Sequence, residues 1–115
     1  MTKQLPPLLY ITKERRRVYS LKLNINGRQL GELIVDPHYE KEHGSYMTDE
    51  IIYQLVRQLD KKEVEIEDQK GNFEYFTAKR IFLDKKCYKL VCCLENQQNY
   101  LGIIDAYRQS KYDKK

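Results

Sequence analysis

Tryptophan is absent from this 115-residue chain, and cysteine and proline occur only three times each. No apolar run approaches the roughly 18–20 residues that a membrane helix requires, so a membrane span is excluded. The opening MTKQLPPLLYITKERRR has too short an apolar stretch, with its basic residues on the wrong side of it, for a secretory signal. Cys87, Cys92 and Cys93 cannot all pair, and they come without a C-x-x-C or a histidine at ligand spacing. Buried free thiols in a reducing cytoplasm are therefore expected, not a disulfide frame or a metal centre. The chain also lacks G-x-x-x-x-G-K-[ST], G-x-G-x-x-G, H-E-x-x-H and G-x-S-x-G. Nucleotide hydrolysis, dinucleotide redox chemistry, zinc proteolysis and α/β-hydrolase chemistry thus lose their usual signatures. No cofactor and no metal are expected.

What is present suits one globular domain. Charged residues are 33% and hydrophobic residues 41% of the chain, and a domain of this size buries roughly two-thirds of its extended surface. The formal charge is +4, unevenly placed. Lys13, Arg15, Arg16 and Arg17 face only Glu14, and Arg108, Lys111, Lys114 and Lys115 face only Asp113, which leaves residues 18–107 mildly acidic. Such ends could grip phosphates or an acidic partner, or simply keep a small protein soluble. Ten tyrosines supply stackable rings with a hydroxyl, suited to RNA-facing surfaces, though tyrosines in strands often serve the core.

Residues 1–12, with Pro6 and Pro7, read as an extended arm. From Val18, Tyr19, Leu21, Leu23 and Ile25 alternate with Ser20, Lys22 and Asn24, a half-buried strand. Asn26-Gly27 predicts a type I′ turn, and residues 28–35 return as the second strand of a hairpin. Asp36 and Pro37 open a two-turn helix that Gly44 closes in a left-handed conformation. Thr48 caps a second helix, with Asp49 and Glu50 favouring its dipole. Ile51, Ile52, Leu55, Val56 and Leu59 form its apolar face through about Asp60. Strands follow at Val64–Glu67, Phe73–Leu83, Cys87–Glu95 and Tyr100–Tyr107, and residues 109–115 form a basic tail. The order ββααββββ predicts an α+β fold: an N-terminal β-hairpin, two helices, then a four-stranded, mainly antiparallel sheet.

Both histidines, His38 and His43, fall in the short helix. Five residues rotate a helix by about 500°, so they point roughly 140° apart and lie about 7.5 Å apart along the axis. That spacing suits neither a shared metal nor two groups around one phosphate. The dipole sets His38, at the helix start, as a neutral base and His43, at its end, as a cation; both also fit a plain exposed helix surface. Arg108 closes the last strand, and Lys86, Tyr88 and Lys89 lie on its neighbour. An antiparallel sheet can gather these into one cluster that binds a scissile phosphate, Arg being suited by its bidentate fork; an ordinary solvated strand end is the alternative. Cleaving RNA through its own 2′-hydroxyl needs only a base, an acid and a cation around a bound phosphate.

The run D-P-x4-E-H-G over residues 36–44, a Thr-led amphipathic helix, and a last strand ending I-I-D-A-Y-R resemble the RelE-like ribonuclease toxins. BrnT-type toxins, with D-P…K-H-G and I-I-S-A-R elements, and related small domains opening with a His-bearing helix are the nearest branches. The likeness spans roughly residues 36–108. It implies a cytoplasmic, metal-independent endoribonuclease toxin of a bacterial toxin–antitoxin pair, with RNA and a cognate antitoxin as partners and a homodimer also allowed. By position, His43-Gly44 falls on the K-H-G element, His38 on the leading histidine of the related domains and Arg108 on the closing arginine. These three would be catalytic, and Lys86, Tyr88, Lys89, Tyr107 and Lys111 would bind RNA. Glu42 stands where a lysine is expected, Tyr107 interrupts the A-R pair, and the hairpin is an addition to the minimal core. The alternative is a non-catalytic protein- or RNA-binding module on the same scaffold, with Val18–Ile25 as an edge strand open to main-chain pairing.

Overall fold

The Asn26-Gly27 turn sets the start of the architecture: both residues have positive φ, 54° and 78°, and they join β2 (Arg17–Ile25) to β3 (Arg28–Val35). In the computed structural model, which describes residues 4–114, five further strands extend this hairpin into one sheet. They are β1 (Leu8–Ile11), β4 (Asp68–Lys70), β5 (Phe73–Leu83), β6 (Lys86–Glu95) and β7 (Tyr100–Arg108). The spatial order is β1-β2-β3-β7-β6-β5-β4. Every neighbouring pair is antiparallel except β3 and β7, which run parallel from Glu32↔Tyr100 to Val35↔Ile103. The fold is α+β, with α1 (Tyr39–His43) and α2 (Asp49–Arg57) in the long crossover between the two parallel strands.

One face of the sheet meets the helices. Ile52, Leu55 and Val56 of α2 and Tyr39 of α1 join Leu21, Leu23, Leu33, Phe76, Leu90, Leu94, Leu101 and Ile103 in a single buried cluster. The period-two alternation of the strands supplies one half of this core and the 3–4 spacing of α2 the other. Because β3 stops at Val35 while β7 runs on to Arg108, α1 packs beside the exposed end of β7.

Several local expectations are corrected. Residues 8–11 are not a free arm but the edge strand β1, paired with β2; residues 1–3 lie outside the described residues. β1 pairs with Arg17–Tyr19 and Lys62 bridges Ile25, so the expected edge at Val18–Ile25 is covered at its two ends, while the stretch from Ser20 has no partner in β1. The alternation at Val64–Glu67 does not form a strand. Val64 and Ile66 are half-buried against the core, but the backbone of Val64 is bonded to the Asn26 side chain, which accepts from its N–H at 2.7 Å and donates to its carbonyl at 3.1 Å. The short strand comes later, at β4. Gly44 has φ −65°, so no left-handed residue closes α1; a Cβ there would lie 2.6 Å from the Glu40 carbonyl oxygen, and glycine is present for close approach. Asp36 accepts from the His38 N–H at 2.9 Å, an Asx-type turn ahead of α1. The chain after β7 is pinned: a 3-10 turn at Ser110–Tyr112 follows Gln109, whose N–H reaches the Cys87 carbonyl at 2.8 Å. Lys115 lies outside the described residues.

Candidate nucleic-acid interface

Two of the N-terminal arginines are not available to phosphate. Arg17 donates from Nε (2.6 Å) and Nη2 (2.9 Å) to the two oxygens of Asp49, a bidentate pair. Asp49, expected to favour the dipole of α2, is buried and also accepts from the hydroxyls of Tyr19 (2.5 Å) and Tyr39 (2.6 Å). Burial pushes its pKa up, but the hydrogen bonds from Arg17, Tyr19 and Tyr39 outweigh that and hold it below the ordinary value. Burial, together with the bond to Asp49, raises both tyrosines. Arg16 is paired with Asp36 at 2.9 Å. This segment therefore clamps α2 and the β3–α1 turn to the sheet.

The same end of the sheet is different on the far side of β3, because β3 and β7 run parallel and β7 extends beyond the point where β3 stops. Here the end of β5, the start of β6, the end of β7 and the 3-10 turn meet. They bring together Lys79, Arg80, Lys85, Lys86, Lys89, Arg108, Lys111 and Lys114, with Asp84, Asp105 and Asp113 on the same elements. All five cation–π contacts among the described residues occur here: Arg80 and Lys111 on Tyr112 (4.3 and 5.1 Å), Lys114 on Phe82 (4.5 Å), Lys89 on Tyr107 (5.4 Å) and Arg108 on Tyr88 (5.8 Å). The cations around Tyr112, Arg80 first and then Lys111, lower its pKa. The β5–β6 turn that exposes the lysines is type I′-like, with Asp84 and Lys85 both at positive φ.

His43 is the histidine that reaches this group. Its ring stacks on Tyr107, with centroids 5.2 Å apart and 27° between planes. Its Nδ1 lies 2.8 Å from the Tyr46 hydroxyl and its Nε2 3.7 Å from Glu42. The same Tyr46 hydroxyl accepts from the Arg108 backbone N–H at 3.3 Å, tying the α1–α2 loop to the β7 edge. Lys89 contacts the same Tyr107 ring, so an imidazole and an ammonium share one aromatic platform.

The remaining expected residues are dispersed. His38 is exposed at the start of α1 and borders a separate depression with Arg15, Pro37 and Lys41. With α1 only five residues long, the dipole contrast drawn between the two histidines has little helix behind it. The Arg108 guanidinium is held by Asp113 and faces Tyr88, and its Nε is buried without a hydrogen-bond partner. Tyr107 and Arg108 are neighbours on β7, so their side chains leave opposite faces of the sheet. The guanidinium is thus directed to a different set of partners from those of His43. Tyr88 is 5% exposed and sits in the core cluster; its ring packs the inner face and is not presented to a base. Lys86 and Lys111 are exposed at the basic end, Lys89 and Tyr107 half-exposed. Tyr46, Arg80 and Tyr112 were not anticipated from the sequence, because their partners are remote in the chain and no local pattern marks them. No group of three or more His, Cys, Asp or Glu placed to hold a metal occurs among the described residues. No helix among them is long and apolar enough to cross a membrane. Compared with protein-family models, curated proteins and solved structures, the chain has no significant match in any of the three.

Proposed function

We propose that the protein binds single-stranded RNA at the basic, aromatic end of its sheet. The observation that carries this reading is the gathering at that end of four cation–π contacts on rings that are not buried, Tyr112 with Arg80 and Lys111, Phe82 with Lys114 and Tyr107 with Lys89, amid an excess of cations. Cations neutralise the backbone and rings stack bases, which is how sequence-tolerant single-strand binders combine affinity. The test is fluorescence anisotropy with a labelled single-stranded RNA decamer across a salt series. Each lysine–phosphate contact contributes about 0.7 to the slope of log K against log salt. The triple variant Lys86→Ala/Lys89→Ala/Lys111→Ala should therefore weaken binding and flatten the slope by about 2. Equal affinity and slope for wild type and variant would overturn the reading.

A second reading, the RelE-like endoribonuclease toxin, is favoured by one observation: His43 and Lys89 share the Tyr107 ring, with Tyr46 and Glu42 on the two imidazole nitrogens. In this reading His43 takes the proton of the 2′-hydroxyl, whose oxygen attacks phosphorus. The bond to the 5′-oxygen breaks as that oxygen gains a proton, leaving a 2′,3′-cyclic phosphate and a 5′-hydroxyl. Lys89, not the Asp113-bound Arg108, is the cation beside the imidazole. A cytoplasmic antitoxin would cover this same end. Expression should arrest bacterial growth and His43→Ala should relieve it, with cyclic-phosphate ends on the cut RNA; harmless wild-type expression refutes the enzyme and leaves the binding module.

A further inference from the structure

The sheet face turned away from the buried cluster carries a bowl of about 380 Å³, whose lining includes Arg16, Asp36, Phe73, Tyr75, Tyr100 and Gly102. We infer that this bowl is a nucleobase subsite, taking one unpaired base of a bound single RNA strand. The inference rests on the RNA-binding reading above.

The shape comes from the sequence. Gly102 forms part of the floor between Cys93 and Tyr100. A Cβ there would stand 2.6 Å from the Cys93 sulfur and 3.5 Å from the Tyr100 ring, so a side chain at that point would have to displace Cys93, and glycine keeps the floor low. The walls are aromatic. Phe73 and Tyr75, two apart on β5, leave the same face and stack on each other, with centroids 6.4 Å and planes 29° apart. Phe73 is 37% exposed. Tyr100 is held in place by its hydroxyl, which donates to Glu95 at 2.7 Å. One part of the lining is polar: there Arg16 donates to Asp36, and this pair sets N–H donors beside carboxylate acceptors.

A cavity with a low floor, aromatic walls and a donor–acceptor pair in its lining matches a nucleobase, which has two apolar faces and a polar edge. The bowl lies along the same strand pair, β6 and β7, as the RNA path proposed above, with Gly102 opposite Cys93 and Tyr107 opposite Lys89. Ile104 lines it and Tyr107 is three residues further along β7, about 10 Å at strand rise, so a short single strand can lie on both.

Cys93 reports on occupancy, because it is half-buried in the bowl while Cys87 and Cys92 are buried. The experiment measures binding of a uridine decamer, an adenosine decamer and an abasic decamer, together with the rate at which a thiol reagent modifies Cys93. Phe73→Ala and Tyr75→Ala should each lower affinity for the base-bearing decamers about 5- to 100-fold, leave the salt slope unchanged and leave the abasic decamer unaffected. Either base-bearing decamer should slow Cys93 modification in the wild type. If RNA binds with unchanged affinity in both variants and does not protect Cys93, the subsite is refuted and the basic end still stands as the RNA grip. Protection of Cys93 by an extended apolar peptide but not by RNA would make the bowl a protein-docking site and refute the inference. If the wild type binds none of the three decamers, the subsite and the reading beneath it fall together.

Discussion

Replacing Asp49 by alanine should cost the fold about 3–5 kcal/mol, the range for breaking a buried ion pair by removing one partner. The carboxylate accepts four hydrogen bonds, two from Arg17 and one each from the buried Tyr19 and Tyr39, and its side chain is only 10% exposed. Alanine leaves the guanidinium and two hydroxyls without their acceptor, at about 1–3 kcal/mol for each unsatisfied group. Glu40, 3.1 Å from Arg17, retains part of the charge compensation, so the total falls short of the simple sum. Stability of a domain this size is about 5–15 kcal/mol, so the variant should unfold roughly 12–20 °C lower, at about 4 °C per kcal/mol. Urea denaturation followed by far-UV circular dichroism measures the loss, with an unchanged m-value as the control. The double variant Arg17→Met/Asp49→Leu should recover the part due to the orphaned guanidinium and no more, because the Tyr19 and Tyr39 hydroxyls still lack their acceptor. The pH dependence has a definite sign. The Asp49 pKa is lowered in the folded state, so its contribution is complete above the unfolded value of about 3.9 and is lost as pH falls through the lower folded value. A cost under about 1 kcal/mol for Asp49→Ala, or acid stability unchanged between wild type and variant, would refute the assignment of Asp49 as the clamp between β2, α1 and α2.

Three further outcomes are expected. Gly102→Ala should destabilise by about 1–3 kcal/mol through overpacking against the Cys93 sulfur, and Cys93→Ala in the same chain should restore part of it; strictly additive effects would show that the two positions do not touch. Gly44→Ala forces a Cβ to within 2.6 Å of the Glu40 backbone carbonyl, which no side-chain rotation can relieve. It should lower the melting temperature by several degrees in a thermal scan, and an unchanged value would contradict the close approach. Under native conditions one thiol, Cys93, should react with an aromatic disulfide reagent, and all three after denaturation. Burial raises the pKa of all three thiols, but Cys87 and Cys92 are also shielded from the reagent while Cys93 is partly accessible; rapid native modification of two or three thiols would be incompatible with this core.

Elements specified by their neighbours in the chain were legible. Asn26-Gly27 determines its own turn, Thr48 accepts from the Ile51 N–H at 3.2 Å as an N-cap should, and the apolar face of α2 follows from its spacing. The end of α2 is displaced: Gln58, Leu59 and Asp60 bond three residues back, a tightened last turn beyond Arg57 that periodicity does not distinguish from α-helix. Val64 and Ile66 show the limit of alternation. Their pattern reports burial on one face, and the core does half-bury them, yet a strand also needs a partner, and here Asn26 takes the backbone instead. Leu8–Ile11 failed the other way, since a run of four exposed apolar residues after two prolines carries no period, and only pairing with β2 makes it a strand.

The candidate site divides along the same line. Residue types and charge balance followed from composition: a chain with free thiols, many tyrosines and cations at the last strand. Which cation was free did not, because ion pairing is decided by partners far along the chain. Arg17 is consumed by Asp49, 32 residues on, and Arg16 by Asp36, 20 residues on. Arg108 goes to Asp113, while Lys89 is left beside His43 on the Tyr107 ring. Local periodicity and turn chemistry act over a few residues and so reside in the sequence; the parallel joining of β3 to β7, the plugging of the β7 edge by α1 and the assignment of each charge to its counterpart depend on contacts that exist only once the chain has closed on itself.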